Sequence, residues 1–330
     1  MIETFLTALN PMLSLFSFIA IGYLLKKSGI LPDGSETVLA KLETYVFFPA
    51  LSFITLAENC TPENLSTHFI NIALAIAATL IAIGISLSLS GLFVKERGME
   101  RGVYKYALAF ANSGYVGNPL VHGMYGDLML SYYSIYCLPV SVGIYTWGLN
   151  TMIPANTKSK NVILKILNPP IVGLLAGMAA GLSGLNNYIP DFAVTTLEQL
   201  KGCMGPCAML LAGITVASYP FKDMISDKKV YIASLLRLTL IPAVIIGCLF
   251  GIKELINLIF GLEINNTVLH LCFFSTAAPL GLNTVVFPAA YGGNPKTGAS
   301  MAMISHTLCV ITIPLMYALL TLIFGSPIII

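Results

Sequence analysis

Charged side chains are scarce in this chain. They make up 10% of its 330 residues, against 56% hydrophobic residues and a mean hydropathy of +0.84. Since soluble domains carry about 25% charged residues, this scarcity excludes an ordinary soluble domain and predicts an integral membrane protein. The net charge is only +2, and no basic patch is interleaved with aromatic residues. We therefore expect the lipid bilayer, and not a nucleic acid, as the partner.

Motifs of enzymes and pumps are also missing. The chain contains neither H-E-x-x-H nor G-x-S-x-G, and its nearest approach to a phosphate-binding loop, GGNPKTGAS at residues 292–300, lacks the G-x-x-x-x-G-K-[ST] order. The seven cysteines show neither zinc-ligand nor disulfide spacing, although Cys203 and Cys207 lie one helical turn apart and leave a metal pair as an alternative. We expect no enzymatic activity, no cofactor and no metal.

Long apolar runs are what the chain does have. A window of about 20 residues, the length with which a helix crosses the hydrocarbon, finds ten runs, which we number segments 1 to 10. Segments 4 and 9 are weak because Gly, Pro and Asn interrupt them. The predicted fold class is an all-α polytopic membrane protein with ten transmembrane helices. The segments comprise residues 6–25, 38–57, 68–94, 103–126, 128–151, 168–186, 193–218, 229–251, 266–291 and 298–324.

The basic residues of the loops give an independent check on this number. Lys and Arg concentrate in cytoplasmic loops, and with ten crossings twelve of them fall in odd-numbered loops, against Lys253 alone in even-numbered loops. Omitting segments 4 and 9 would place basic loops on opposite sides of the membrane. We expect a multi-pass protein of the cell membrane with both termini outside. The twelve are Lys26, Lys27, Lys95, Arg97, Arg101, Lys158, Lys160, Lys165, Lys222, Lys228, Lys229 and Lys296.

The two halves of the chain resemble each other. The string LNP opens segment 1 at residues 9–11 and segment 6 at residues 167–169, an offset of 158 residues. LPD at residues 31–33 and IPD at residues 189–191 keep the same offset of 158 residues. Chance resemblance of short apolar strings is the alternative. Because each repeat has an odd number of helices, residues 1–160 and 161–330 are predicted to form inverted five-helix repeats with a substrate site between them.

Segments 4 and 9 are interrupted at equivalent places, by FANSGYVGNPLV and by FSTAAPLGLNTVVFPAAYGG. A broken membrane helix strands backbone polar groups, which only protein or a polar cavity can satisfy. We predict that Asn118 caps a new helix whose first residue is Pro119, and that Asn283 before Thr284 does the same in segment 9. Two partly positive helix N-termini would then meet at the midplane, where an anion, especially a carboxylate, fits.

These strings carry a resemblance to a known family. NSGYVGNPL in segment 4, APLGLNTVVFPAAYGGNP in segment 9 and YVFFPALSF in segment 2 resemble the auxin efflux carrier family, which includes PIN-type auxin exporters and carriers for dicarboxylates such as malonate. The resemblance implies a bile-acid-symporter-like fold, with segments 1, 2, 6 and 7 as a scaffold and segments 3–5 and 8–10 as a moving transport domain. It further implies that segments 4 and 9 cross at the substrate site and that the protein is a homodimer joined through the scaffold.

The resemblance also assigns individual residues. Asn112 lies seven residues before Pro119, as in the family motif, and is therefore the first substrate-binding candidate. Asn283 matches bacterial members, which favours an organic-acid carrier over an auxin exporter. Gly114 and Gly117 either line the cavity or only permit close helix packing. The full predicted substrate-binding set is Asn112, Gly114, Gly117, Asn118, Pro119, Pro279, Gly281, Asn283 and Thr284.

Ionisable residues in the apolar segments are the candidates for coupling to an ion. His122 either carries a coupling proton or is a hydrogen-bonded interior histidine, and Asp127 is either a coupling group or an interfacial residue. Arg237 either balances a substrate carboxylate or anchors the cytoplasmic half. For the remaining four, pairing or snorkelling to the surface is as good an explanation as a role in transport. These four are Lys41, Glu43, Glu198 and Lys201.

The function predicted from these features is secondary transport of small organic anions. Segment 9 offers no carboxylate near its interruption that would bind sodium, so we expect proton coupling, export driven by the membrane potential, or exchange. An anion channel or a membrane sensor with a transporter-like fold is the alternative.

Overall fold

The computed structural model describes residues 2–62, 65–96, 98–152, 167–218, 227–281, 283–285 and 296–328, and within these ranges the chain is helical with no strand. Every predicted segment contains a helix. Segment 2 includes a π-helical turn at Glu43–Phe47. The α-helices are Ile2–Lys27, Ser35–Leu42, Phe48–Asn59, Leu65–Phe93, Met99–Ala109, Asn118–Gly143, Leu149–Met152, Pro169–Ser183, Asp191–Ala217, Lys228–Leu238, Leu240–Phe260, Thr267–Ala277 and Lys296–Phe324.

Seven helical stretches among the described residues are long and apolar enough to cross a membrane, which confirms a multi-pass membrane protein. Large apolar side chains such as Leu80, Leu258 and Ile323 are exposed on the outer surface, as lipid requires. Segment 1 begins at Ile2, so its LNP string lies inside the helix and does not open it, whereas Asn168 of the second LNP string caps the helix Pro169–Ser183. The apolar residues before Asn10 extend the first helix past the motif.

One of the seven stretches, Met99–Met152, has 54 residues and folds back on itself. Its helical path breaks at Gly126, whose φ of 74° lies in the left-handed region that glycine tolerates best. The hydroxyl of Thr151 near its end donates to the carbonyl oxygen of Gly102 near its start, at 3.2 Å. Segments 4 and 5 are therefore two antiparallel legs joined at Gly126.

Small residues repeat at every fourth position on one face of segment 6, a pattern that predicts close helix packing. The structure confirms that this face contacts segment 2. The repeated residues are glycines, and a Cβ atom added at any of them would collide with the backbone of segment 2. Segments 1 and 7 pack equally closely, with Gly213 against the backbone of Ile19. The glycines of segment 6 and their neighbours are Gly173 at Pro49, Gly177 at Phe53 and Gly181 at Cys60.

Candidate functional site

The interruptions of segments 4 and 9 lie against each other. Residues 110–112 and 278–281 are non-helical, and we call them break 4 and break 9. The backbone N–H of Asn112 donates to the carbonyl oxygen of Pro279 at 2.7 Å. A Cβ atom at Gly281 would lie 3.8 Å from Asn112 Cα, an ordinary van der Waals distance, so break 9 passes directly beside break 4 at this residue. The two halves of the chain thus supply hydrogen-bonding partners for each other's broken backbone.

Two side chains make further hydrogen bonds to the backbone of the broken segments. The hydroxyl of Tyr133 contacts the carbonyl oxygens of Ser113, at 3.0 Å, and Phe274, at 3.3 Å, on the two broken segments. Ser305 in segment 10 accepts a hydrogen bond from the Leu280 N–H at 3.0 Å. Sequence reasoning missed both residues. The available signal was a hydroxyl within an otherwise apolar segment, since a buried hydroxyl needs a partner.

The predicted helix cap of segment 4 is wrong in position. The helix after break 4 starts six residues earlier, as a π-helical turn over Ser113–Gly117, and its cap is Asn112, whose Oδ1 accepts from the Tyr115 N–H at 3.2 Å. Asn118 lies inside the continuous helix and Pro119 follows it. Proline has no backbone N–H to donate. The preceding π-helical turn, with its wider hydrogen-bond spacing, accommodates Pro119 at this position.

The asparagine of segment 9 makes a different contact from the predicted one. Asn283 Nδ2 donates to the hydroxyl of Tyr106 in segment 4 at 3.0 Å, which ties the two broken segments together a second time. Thr284 is fully buried, and both its N–H and its hydroxyl donate to the carbonyl oxygen of Gly281. Helix is described for residues 283–285. The strings VFPAAYGG and NP that follow lie outside the described residues.

A cavity of about 90 Å³ adjoins the two breaks. Since one water molecule occupies about 30 Å³ in the liquid, the cavity holds a few waters or one small molecule. Segments 2 and 6 form one side of it, and segments 4, 5 and 9 form the other. Its lining includes Thr44, Phe48 and Ser52 of segment 2, Asn112 to Tyr115 and Asn118 of segment 4, Ser134 and Tyr145 of segment 5, Ile171 of segment 6, and Gly281 and Asn283 of segment 9.

The cavity is arranged to bind a hydrogen-bond acceptor. Asn112 Nδ2 is buried with no hydrogen-bond partner among the described residues, and so is the hydroxyl of Ser134 on the cavity wall. The N-terminus of the helix that begins at Ser113 opens at the same place and carries a partial positive charge. Unsatisfied buried donors beside a helix N-terminus favour an anionic ligand, because its oxygens supply the missing acceptors.

The structure separates the predicted site residues into two groups. Gly114 and Gly281 line the cavity, as do all three candidate asparagines, Asn112, Asn118 and Asn283. Gly117 and Pro119 do not line it. A Cβ at Gly117 would collide with the Tyr133 hydroxyl, and Pro119 packs against Gly205 of segment 7. Pro279 contributes its backbone carbonyl, and Thr284 supports Gly281.

Replacing Gly117 with alanine is expected to lower stability by about 1–3 kcal/mol, because the added methyl overpacks the site against Tyr133. Gly84→Ala is the matched control, since no atom lies within 4 Å of a Cβ there. Combining Gly117→Ala with Tyr133→Phe removes the colliding hydroxyl. The double variant should therefore lose less stability than the sum of the losses in the two single variants. Thermal unfolding of the detergent-purified variants measures all three. Equal midpoints for Gly117→Ala and Gly84→Ala would show that the contact is not tight.

His122 and Asp127 belong to a separate cluster. His122 is about half exposed, and its Nε2 lies 3.3 Å from Asp127 Oδ1, so the interior-histidine interpretation is wrong. Asp127 also pairs with Lys201 of segment 7 at 2.6 Å, and Lys201 pairs with Glu198 at 3.3 Å. Neither His122 nor Asp127 lines the cavity. The cluster joins the turn between segments 4 and 5 to segment 7.

Arg237 lies one layer behind the cavity wall. Its side chain is 2% exposed, and none of its three guanidinium nitrogens has a hydrogen-bond partner among the described residues. It is close enough for its charge to act on the hydroxyl of Tyr106, which holds Asn283. An unpaired buried cation is costly, so its burial fits a role in balancing an anion better than a role as a surface anchor.

Glu43 contradicts the expectation of pairing or snorkelling. It is fully buried, and neither carboxylate oxygen has a hydrogen-bond partner in the described part of the chain. Lys201 and Glu198, by contrast, do pair as predicted. Sequence reasoning left pairing, snorkelling and a role in transport open for Glu43, because only the packed structure shows which face of segment 2 is covered.

These features define a class of protein. A multi-pass helical membrane protein whose two broken segments meet beside a polar cavity has the architecture of a transporter. The sequence matches the family described as membrane transport protein over residues 7–162 and 154–317, and the chain belongs to that family. This confirms the resemblance to auxin efflux carriers. The family is one of transporters and not of enzymes.

Two curated relatives support this assignment. An uncharacterised transporter of Methanocaldococcus jannaschii is 25% identical over 313 residues, which cover 93% of this chain and 97% of the relative. An uncharacterised transporter of Methanothermobacter thermautotrophicus is 26% identical over 247 residues, which cover 74% of this chain and 78% of the relative. The first similarity extends over nearly the full length of both chains.

Proposed function

We propose that this protein is a secondary transporter of small organic anions, carboxylates in particular, and that the anion binds where break 4 and break 9 meet. The observation that carries the proposal is the contact of the two breaks beside a cavity with an unpartnered Asn112 amide. The helix N-terminus at Ser113 and the unpaired guanidinium of Arg237 add positive charge on the same side of the fold.

We propose further that the chain crosses the cell membrane ten times as two inverted five-helix repeats, with both termini outside. Segments 1, 2, 6 and 7 are the scaffold, and segments 3–5 and 8–10 move past it in an alternating-access cycle. Two observations support this division. Segment 1 packs on segment 7 as segment 6 packs on segment 2, which is the pairing that a two-fold relation of the repeats would give. The cavity lies between segments of the two groups. The scaffold is also where we place a homodimer contact.

Carboxylates are expected to stabilise the purified protein, whereas matched neutral amides are not. Malonate against malonamide, and indole-3-acetate against indole-3-acetamide, differ in charge at nearly constant shape. A ligand at about 100 times its Kd adds about 2.7 kcal/mol of stability, which a thermal-shift assay in detergent detects. Stabilisation by the amides and by none of the acids would overturn the anion assignment.

A channel is distinguished from a carrier by counterflow. Proteoliposomes loaded with an unlabelled carboxylate should accumulate the labelled form faster than empty ones, because a carrier returns loaded more readily than empty. A pore shows no such acceleration. If preloading does not accelerate uptake and the flux does not saturate with carboxylate concentration, the protein is a channel and not a transporter.

A further inference from the structure

We propose that Glu43 is a proton-binding site that couples anion movement to the proton gradient. The inference rests on the proposed transport function and adds the coupling ion and the residue that binds it. Glu43 belongs to segment 2, away from His122 and Asp127, which the sequence favoured for this role.

The burial of Glu43 is the first observation. The side chain is 0% exposed, and both carboxylate oxygens lack a hydrogen-bond partner among the described residues. An ionised carboxylate in such a place would be an uncompensated buried charge, which costs far more free energy than the neutral acid. The stable form of Glu43 in this arrangement therefore carries a proton.

Among the residues that the structure describes, the neighbours of Glu43 supply no compensating cation. Tyr115 of segment 4 and Cys207 of segment 7 are the titratable groups close enough to feel its charge, and both are neutral donors. The helix Pro169–Ser183 packs near the same turn and contains no titratable residue. Lys41 lies two residues away on the exposed side of segment 2. The other titratable residues of the segment 7 helix are Asp191, Glu198, Lys201 and Cys203, of which Glu198 and Lys201 form an ion pair.

The residue that follows Glu43 reaches the cavity. Thr44 lines the cavity, and its side chain lies near the hydroxyl of Tyr115, which also lines it. Glu43 begins the π-helical turn Glu43–Phe47. Such turns are rare and are frequently found at functional sites. A proton entering through the cavity thus meets polar side chains up to the residue beside Glu43.

The position of Glu43 also gives a reason for coupling. Glu43 is on a scaffold segment, and Tyr115 is on the broken segment 4, which moves in the proposed cycle. Displacement of segment 4 changes what faces Glu43, so the two conformations differ in their affinity for a proton. A ligand shifts a conformational equilibrium through such a difference in affinity, and linkage makes the effect of the proton on the anion reciprocal.

The first test needs no substrate. Infrared difference spectra of the purified protein between neutral and alkaline pH should show the carbonyl band of a protonated carboxylic acid, which is lost in Glu43→Gln. Glu36→Gln, a control on the helix Ser35–Leu42 directly before Glu43, should keep the band; the Glu36 carboxylate lies 3.7 Å from Lys26. Persistence of the band in Glu43→Gln, or its absence from the wild type, would overturn the proposal.

The second test measures coupling in proteoliposomes with labelled carboxylates from the thermal-shift panel. In Glu43→Gln, stimulation of uptake by an imposed pH gradient should fall about tenfold or more, a typical size for a coupling effect, while counterflow persists. Unchanged stimulation would overturn the role of Glu43, whereas loss of counterflow by the wild type itself would overturn the transport function. Should Glu43→Gln fail to fold, Glu43→Asp keeps an acid and should retain stimulation with a displaced pH dependence; an unshifted pH dependence would count against the site.

Discussion

Asn112→Ser is expected to weaken carboxylate binding by about ten- to a hundredfold while thermal stability stays near that of the wild type. Serine retains an oxygen that can cap the helix at Ser113, and Asn and Ser are about equally good caps. The substitution removes Nδ2, the buried donor without a partner at the cavity. A hydrogen bond to a charged group contributes about 1.5–3 kcal/mol, which gives the expected loss.

Asn112→Ala separates the two tasks of this side chain. It removes cap and donor together, so it should lose affinity like Asn112→Ser and also about 1 kcal/mol of stability. Affinity from isothermal titration and midpoints from thermal unfolding give both quantities. Asn283→Ala should likewise lose affinity, since it removes a cavity-lining amide and its bond to Tyr106. Carboxylate binding at wild-type strength in both Asn112→Ser and Asn283→Ala would refute the site assignment.

Arg237→Met is expected to abolish anion transport and at the same time to raise the thermal midpoint of the protein. The guanidinium is buried without a hydrogen-bond partner in the described structure, so a methionine of similar length relieves an unfavourable burial. If the charge balances a bound carboxylate through the layer formed by Tyr106 and Asn283, removing it lowers affinity by at least about tenfold, or 1.4 kcal/mol. Higher stability with lost function is the signature of a functional group held at a cost.

The matched control for this experiment is Arg101→Met. Arg101, near the start of the helix Met99–Ala109, contacts the Ser90 side chain and the Lys95 backbone, and it does not line the cavity. Arg101→Met should leave anion affinity unchanged, and it should not raise the thermal midpoint, because it gives up the hydrogen bonds of Arg101. If Arg237→Met is stabilised and still transports the anion, Arg237 has a structural role only.

Much of the site was accessible from the sequence because its cause is local. Gly, Pro and Asn within an apolar run mark a broken helix wherever they occur, and a buried amide is costly enough to imply a cavity or a partner. The interruptions of segments 4 and 9 were found on these grounds, whereas Asn112 was assigned through the resemblance to the family motif. The cap was misplaced because proline at the start of a helix is a statistical preference, and here a π-helical turn before Pro119 accommodates it instead.

The partners across the fold were not accessible in this way. Tyr133 and Ser305 satisfy backbone groups that lie far from them along the chain, and nothing in their own surroundings specifies which carbonyl or N–H they meet. Glu43 was misjudged for the same reason. Periodicity predicts that segment 2 is a helix, but only the packing of segments 6 and 7 around Glu43 shows that this acid is enclosed.

The hydroxyl of Tyr133 has a mechanical consequence. It contacts carbonyl oxygens on both broken segments, and the bond from Asn112 to Pro279 and that from Asn283 to Tyr106 join the same two segments. Separating the segments would break several hydrogen bonds at about 0.5–1.5 kcal/mol each. In the proposed transport cycle, the two broken segments would therefore move as one rigid unit, and the anion site between them would stay assembled at each turnover.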